Sequence, residues 1–115
     1  MKKTEFYIYK EDLIEFHPKK EMTISQFVEI LNERYCINNM KKMRTKKITD
    51  YLLKKGYLCL NDNGKKTPTI KGKLLGIRIA KIQSKSGEIV QVNLYNVRAQ
   101  KYILDNFYII IRIIC

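Results

Sequence analysis

Basic and hydroxyl side chains are concentrated in one stretch of this sequence, residues 41–54, where they suit contact with a polyanion. Lysine and arginine neutralise phosphates, and short polar side chains can approach base edges in a DNA groove. The candidate contact residues in this stretch are Lys41, Lys42, Arg44, Thr45, Lys46, Lys47, Thr49 and Lys54. A solvated lysine face on an ordinary core helix explains the same pattern equally well, so the distribution of the remaining charge matters.

The same stretch has the periodicity of a short amphipathic helix. If Ile48 faces the core, steps of 100° per residue define two sides of this helix. The core side then also holds Tyr51, Leu52 and Lys55, and the outer side holds Lys46, Lys47, Thr49, Asp50, Leu53 and Lys54. Thr45 is placed to cap the helix, and Gly56 to end it in the left-handed conformation. The pattern predicts an exposed recognition helix followed by a strand.

The formal net charge of +12 is distributed unevenly along the 115 residues. Residues 1–35 contain six basic and seven acidic residues, whereas residues 36–115 contain seventeen basic and only four acidic residues. Abundant Lys, Ile, Asn and Tyr together are typical of AT-rich genomes, which explains part of the basic excess but not the clustering of the acids. The asymmetry favours a polyanionic partner for the part of the chain beyond residue 35.

Residues able to support catalysis or bind a metal are few and scattered. Metal-dependent hydrolysis needs clustered carboxylates, usually with histidine, whereas the acids beyond residue 35 are isolated and His17 is the only histidine. Cys36, Cys59 and Cys115 form no CxxC pair, so we expect neither a disulfide framework nor a zinc site. Cys36 and Cys59 are interpreted as small core residues rather than nucleophiles paired with His17. We therefore predict a protein without enzymatic activity or cofactors.

Length and hydropathy predict a single domain that neither crosses a membrane nor is secreted. A chain of 115 residues is near the common domain size. Its beginning lacks the basic and apolar regions of a secretion signal, and its apolar end, residues 107–115, is much shorter than the ~20 residues that span a bilayer. A cytoplasmic location is the expectation.

The elements around the basic helix have recognisable boundaries. We divide the chain into an N-terminal arm or extra packing element (1–22), a domain (23–107) and an apolar tail (108–115). Thr23 and Gln26 form a capping box at the start of a helix. The apolar stripe of that helix consists of Ile24, Phe27, Val28 and Leu31. Beyond Gly56, a short strand, a turn at residues 61–64 and a brief helix over residues 69–75 are expected.

Two segments with β alternation flank residues 84–87 and predict a β-hairpin. Arg78, Lys81 and Lys85 lie on or near it, where a second phosphate contact would be expected, and Asn96 is placed to cap a last helix. Two helices, the second exposed, followed by a two-stranded wing describe an α+β fold of the winged helix-turn-helix type, with a hairpin wing and a final helix.

In this register the chain resembles the KilAC domain, the C-terminal domain of phage anti-repressor proteins. The resemblance covers residues 23–107. Its matching segments are residues 24–31, Lys54-Lys55-Gly56-Tyr57-Leu58, Pro68-Thr69, Leu75-Gly76-Ile77 and Gln100-Lys101-Tyr102-Ile103. The chain departs from the family in lacking its N-terminal Bro-type domain, and in having Leu53 where an Arg or Trp is frequent. The resemblance implies a DNA-binding role of phage or mobile-element type.

We therefore expect a transcriptional regulator or anti-repressor that binds double-stranded DNA through the basic helix and the wing. The alternative is a non-catalytic winged-helix module for protein–protein interaction or dimerisation, because fold alone does not determine function. The tail bears on this alternative. A run as apolar as residues 108–114 suits a strand buried on both faces or a surface for a second subunit. Because an exposed run of this kind would risk edge-to-edge aggregation, we expect the tail either to be tied to the fold or to form a homodimer.

Overall fold

The computed structural model describes residues 3–112 as an α+β arrangement of helices and two small antiparallel hairpins. The helices are α1 (Lys10–Glu15), α2 (Ile24–Tyr35), α3 (Thr45–Lys54), α4 (Ile70–Leu75), α5 (Val97–Asp105) and α6 (Phe107–Ile110). The strands are β1 (Leu58–Leu60), β2 (Lys66–Pro68), β3 (Ile77–Gln83) and β4 (Ile89–Tyr95). The α+β class predicted from the sequence is confirmed.

Helix α2 begins as the capping box predicts. The Thr23 side chain accepts a hydrogen bond from the Gln26 backbone N–H, and the Gln26 side chain accepts one from the Thr23 backbone N–H (3.2 and 3.0 Å). Two of the otherwise unsatisfied N–H groups at the helix start are thereby satisfied. Phe27, Val28 and Leu31 are buried, which anchors α2 in the core and gives α3 an apolar surface to pack on.

Helix α3 buries Ile48, Tyr51 and Leu52, as its periodicity predicts. Gly56 follows it with φ +83°, the left-handed conformation expected of a residue that ends a helix. The predicted capping role of Thr45 is wrong: the helix already includes Thr45, and the N-cap is Arg44, whose side chain makes no capping hydrogen bond. Lys55, predicted on the core side, is exposed because its ammonium group lies over the outer face of the Tyr51 ring (5.7 Å).

The longer hairpin joins β3 to β4 in a register that pairs Ile77 with Tyr95 at its base and Gln83 with Ile89 at its tip. Ile77 and Tyr95 are buried, and the Tyr95 backbone also pairs with Met22, which fixes the base of the hairpin to the core. The shorter hairpin pairs β1 with β2. Its second strand was not predicted, because three residues are too few to show an alternating pattern.

The segment before α2 contributes large apolar side chains to the core. Phe6, Ile8, Phe16 and Met22 are all buried. Residues 6–9 are extended but form no strand; the nearest regular pairing is an isolated bridge between Thr4 and residue 40. These residues are therefore ordered by side-chain packing rather than by a hydrogen-bonded partner strand.

The apolar tail forms α6 and one further turn up to Arg112, so the interpretation of these residues as a strand is wrong. Phe107 and Ile110 are fully buried within the chain itself, which removes much of the reason for expecting the tail to bind a second subunit. The rest of the tail, residues 113–115, lies outside the described residues. Within residues 3–112, no helix is both long enough and apolar enough to cross a membrane.

The environment of the two described cysteines differs from the expectation that both lie in the core. Cys59 is exposed, because it occupies the outer face of a three-residue strand that covers no second layer. Cys36 is partly buried and its thiol donates a hydrogen bond to the Met40 carbonyl (3.4 Å). Neither residue has a histidine or carboxylate partner among the hydrogen bonds of residues 3–112.

Candidate nucleic-acid interface

Three separate segments form a basic cleft of about 530 Å³ beside the start of α3. They are the connection between α2 and α3, the first turn of α3, and the end of the described chain, with Glu5 and Phe6 closing one side. Of the residues that the structure describes, one carboxylate, that of Glu5, lines the cleft together with six cationic side chains: Lys41, Lys42, Arg44, Lys46, Lys47 and Arg112. Five of the six are predicted contact residues, and the structure brings them together in one cleft.

The α2–α3 connection is held in place by hydrogen bonds to its backbone. The side chain of Asn32 hydrogen-bonds both backbone polar groups of Met43. The Met43 N–H donates to Asn32 Oδ1 (2.7 Å), and Asn32 Nδ2 donates to the Met43 carbonyl (3.1 Å). Thr4 forms a second attachment, donating its N–H to the Asn39 carbonyl and accepting from the Lys41 N–H (2.6 and 2.8 Å). With the Met43 side chain buried, the basic residues on either side of it have defined positions.

The cations of the cleft differ in whether they have a partner. Lys41 pairs with Glu5 (3.2 Å), and Lys47 donates to the Ile111 carbonyl (2.9 Å). Within residues 3–112, no hydrogen bond or ion pair is formed by the side chains of Lys42, Arg44 and Arg112. Like charges that line one cleft repel one another, and a bound anion would relieve that repulsion.

Only some of the residues predicted to lie on the outer face of α3 do so. Lys46 and Lys54 are exposed, as predicted, and Lys46 pairs with Asp50 one turn later (2.8 Å). The outward position predicted for Thr49 is wrong: this residue is only 7% exposed. It lies beside Ile48 at the edge of the buried stripe, where the Lys66 ammonium donates to its hydroxyl (2.8 Å). Thr49 is therefore not available to read a base edge.

Lys47 was also predicted to point outward, and here the expectation is wrong. Its side chain is only partly exposed, because it turns toward the chain end and is held by the Ile111 carbonyl. This contact links α3 to the segment after α6. Lys47 therefore contributes positive charge to the cleft wall rather than to the exposed face of α3.

The hairpin β3–β4 presents its basic residues on different faces. Side chains alternate along a strand, and directly paired residues share a face. Lys81, which pairs with Gln91, therefore projects from the face opposite to that of Arg78, which pairs with Leu94. Lys85 lies in the exposed turn at the tip. Lys81 and Lys85 are both exposed, and their side chains make no hydrogen bond or ion pair to residues 3–112.

Arg78 has a structural role at the base of the hairpin. Its guanidinium donates two hydrogen bonds to the two carboxylate oxygens of Glu21, each 2.7 Å long. This bidentate pair holds the pKa of Glu21 below its ordinary value, the hydrogen bonds being the main cause. Because the guanidinium is already engaged, Arg78 is less suited to a phosphate contact than the two lysines nearer the tip.

A groove of about 450 Å³ connects α3 with the hairpin. Thr49 and Lys66 lie on one wall, Ile82 and Val92 of the hairpin lie on the other, and the beginning of α2 closes one end. The Asn93 side chain donates to the Lys66 carbonyl (3.0 Å) and joins the two hairpins. The hairpin thus lies across this groove from α3.

Sequence patterns missed three residues of this region: Asn32, Lys66 and Arg112. Asn32 acts on a backbone eleven residues away, and Lys66 acts on a side chain seventeen residues away. Arg112 is set apart from the other cations in the sequence by an apolar run. Sequence inspection alone can find a charged residue within an apolar tail. It cannot show which surface of the folded chain that residue joins.

No group of three or more His, Cys, Asp or Glu side chains able to hold a metal ion occurs in the described part of the chain. No protein-family model matches the sequence, and neither a curated protein nor a solved structure matches it.

Proposed function

We propose that this chain is a winged helix-turn-helix protein that binds double-stranded DNA, with α3 as recognition helix and β3–β4 as wing. The observation that carries the proposal is the cleft lined by six cations at the start of α3, with exposed Lys46 among them and exposed Lys54 at the other end of the helix. Neutralisation of backbone phosphates by lysine and arginine supplies most of the affinity of non-specific DNA binding. No catalytic step is part of the proposal.

The fold supports this proposal through the positions of its elements. Ile48, Tyr51 and Leu52 hold α3 by one face, so the opposite face can approach a major groove without loss of core contacts. Lys81 and Lys85 extend from an adjacent hairpin and suit contact with a neighbouring stretch of phosphates. A role as transcriptional regulator or anti-repressor is included in the proposal and rests on the sequence resemblance alone.

An electrophoretic shift assay tests the proposal against other acidic partners. The full chain is mixed at low salt with a short labelled duplex of arbitrary sequence, with excess polyglutamate as competitor. We expect the duplex to be retarded and to remain bound in polyglutamate, because phosphate spacing and groove shape add to simple charge attraction. Failure to retard the duplex, or complete release by polyglutamate, would contradict the proposal.

An interaction module is the second candidate function, and one observation favours it. Ile70 and Leu74 are 80% and 72% exposed, and they lie one turn apart on α4. Adjacent exposed apolar side chains of this size are typical of surfaces that bind protein. The two candidate functions differ in their response to salt, because burial of apolar surface weakens little as salt rises whereas phosphate binding weakens steeply.

A further inference from the structure

The basic cleft adds one cation from a distant part of the chain, Arg112, to five cations that lie within residues 41–47. Arg44 and Lys42 come from the α2–α3 connection, Lys46 and Lys47 from α3, and Arg112 from the turn after α6. Arg112 reaches this cluster only through the fold, and it adds to a concentration of like charge that a bound anion would relieve. This is the arrangement expected where several donors surround one anion.

We propose that this cleft is a phosphate-binding site completed by Arg112, and that the phosphate it takes belongs to a nucleic-acid backbone. The second part rests on the proposed function. The site thereby extends the interface beyond α3 and the wing to the end of the chain, which the sequence pattern did not indicate.

The side chains of the cleft suit the oxygens of a phosphate better than a flat aromatic anion. Two guanidinium groups, those of Arg44 and Arg112, lie in one cleft with no partner within residues 3–112. Guanidinium groups bind the oxygens of phosphate in bidentate fashion, whereas lysine supplies a point charge to the same group. In the described part of the chain, Phe6 is the only aromatic residue that lines the cleft, and its ring is buried rather than available to stack on a base.

The structure also explains how Arg112 is positioned. The Lys47 ammonium binds the carbonyl of the preceding residue, Ile111, and Ile110 is fully buried next to it. The Tyr51 hydroxyl hydrogen-bonds Asn106 Oδ1 (3.2 Å), which attaches α3 to the start of α6. The segment after α6 is therefore fixed on α3 as far as Arg112, which lies at the cleft without a large loss of backbone entropy on binding.

The carboxylate of Glu5 opposes the binding of an anion in the cleft. Among residues 3–112, this carboxylate is the only acidic group that lines the cleft, and it competes with an anion for Lys41. Removal of this carboxylate should therefore strengthen anion binding. A gain of affinity is a useful test, because a variant that merely unfolds cannot produce it.

The experiment titrates the full chain with inorganic pyrophosphate at constant ionic strength and follows backbone amide shifts by NMR. We expect shifts concentrated at residues 42–47 and 111–112. The double variant Lys42→Gln, Arg112→Gln should bind at least about tenfold more weakly, since two charge-assisted contacts are lost. Glu5→Gln should bind ~2–5-fold more tightly. The matched controls are Lys19→Gln, Lys101→Gln for the loss of two charges and Glu15→Gln for the loss of an exposed carboxylate.

The outcomes test two claims separately: that the cleft binds phosphate, and that this phosphate belongs to a nucleic acid. Shifts spread evenly over surface lysines, or a double variant that binds pyrophosphate as the control does, would overturn the site. In a second arm, the same double variant should weaken duplex binding and make its salt dependence shallower by roughly two units. If pyrophosphate binds in the cleft while duplex binding is unchanged, the nucleic-acid source is overturned. The proposed function fails separately if the wild-type chain does not bind duplex at all.

Discussion

The side chain of Asn32 satisfies both backbone polar groups of Met43, through hydrogen bonds of 2.7 and 3.1 Å. An amide on α2 thereby helps to fix the connection that carries Lys41, Lys42 and Arg44, together with the backbone contacts of Thr4. These contacts determine where the charges of the connection lie relative to α3. The proposed interface therefore depends on a residue that is uncharged and does not itself line the cleft.

Replacement of Asn32 by alanine should affect both stability and binding. It leaves the Met43 N–H and carbonyl without their partner, and we expect the free energy of unfolding to fall by about 1–3 kcal/mol. DNA affinity should fall as well, because the connection becomes mobile. Urea denaturation and duplex titration measure the two effects. Asn32→Asp retains the acceptor and removes the donor, so it should lose the bond to the carbonyl alone; equal affinity in all three proteins would contradict the positioning role.

The two faces of α3 should respond differently to alanine. Lys46 and Lys54 are exposed, so Lys46→Ala, Lys54→Ala should weaken duplex binding and leave thermal stability nearly unchanged. Ile48→Ala should lower stability by about 2–5 kcal/mol, because it creates a cavity at a fully buried position. Calorimetry and duplex titration on both variants test this, with Lys19→Ala, Lys101→Ala as control. Destabilisation by the lysine pair with intact binding would mean that α3 faces the other way.

The wing should add affinity without sequence preference. Lys81 and Lys85 are exposed near a turn of small residues, which suits phosphate contact better than base recognition. The variant Lys81→Ala, Lys85→Ala should bind two unrelated duplexes about equally less well, with a salt slope shallower by roughly two units. An unchanged slope would show that these lysines only solvate the hairpin. A loss confined to one duplex would show that the wing reads bases.

The pair between Glu21 and Arg78 should make stability depend on pH at the acid end. The pKa of Glu21 is lowered in the folded chain, so its contribution is present above the unfolded-state value and is lost as the pH falls through the folded-state value. Thermal denaturation between pH 7 and pH 3 should therefore show a smaller acid-induced loss for Glu21→Gln than for the wild-type chain. Identical pH profiles would mean that the pair does not contribute to stability in solution.

Sequence patterns predicted most helices and the longer hairpin because these elements are specified locally. The capping residues Thr23 and Asn96 and the stop at Gly56 each act within a few positions of the element they define. The patterns failed where a long-range contact competes with a local one. Thr49 on α3 is covered by Lys66 of the β1–β2 hairpin, and the local pattern contained no information about that neighbour.

The candidate site shows the same division between local and distant information. The cluster of cations from Lys41 to Lys47 is visible in the sequence, because its members are adjacent in the chain. The roles of Arg78 and Arg112 are not, because each depends on a partner or surface at least fifty residues away. Charge density therefore predicts that a basic surface exists, and only the fold determines which cations belong to it.

The dependence of duplex affinity on salt tests the central claim most directly. If α3, the wing and the cleft together neutralise ~4–6 phosphates, log K should fall linearly with log salt concentration with a slope of roughly −4 to −5. The measurement is a titration of a short duplex of arbitrary sequence by fluorescence anisotropy, repeated from about 50 to about 200 mM salt. A slope in that range is the result that the proposal predicts. Absence of binding at about 50 mM salt, or an affinity that salt does not change, would contradict it.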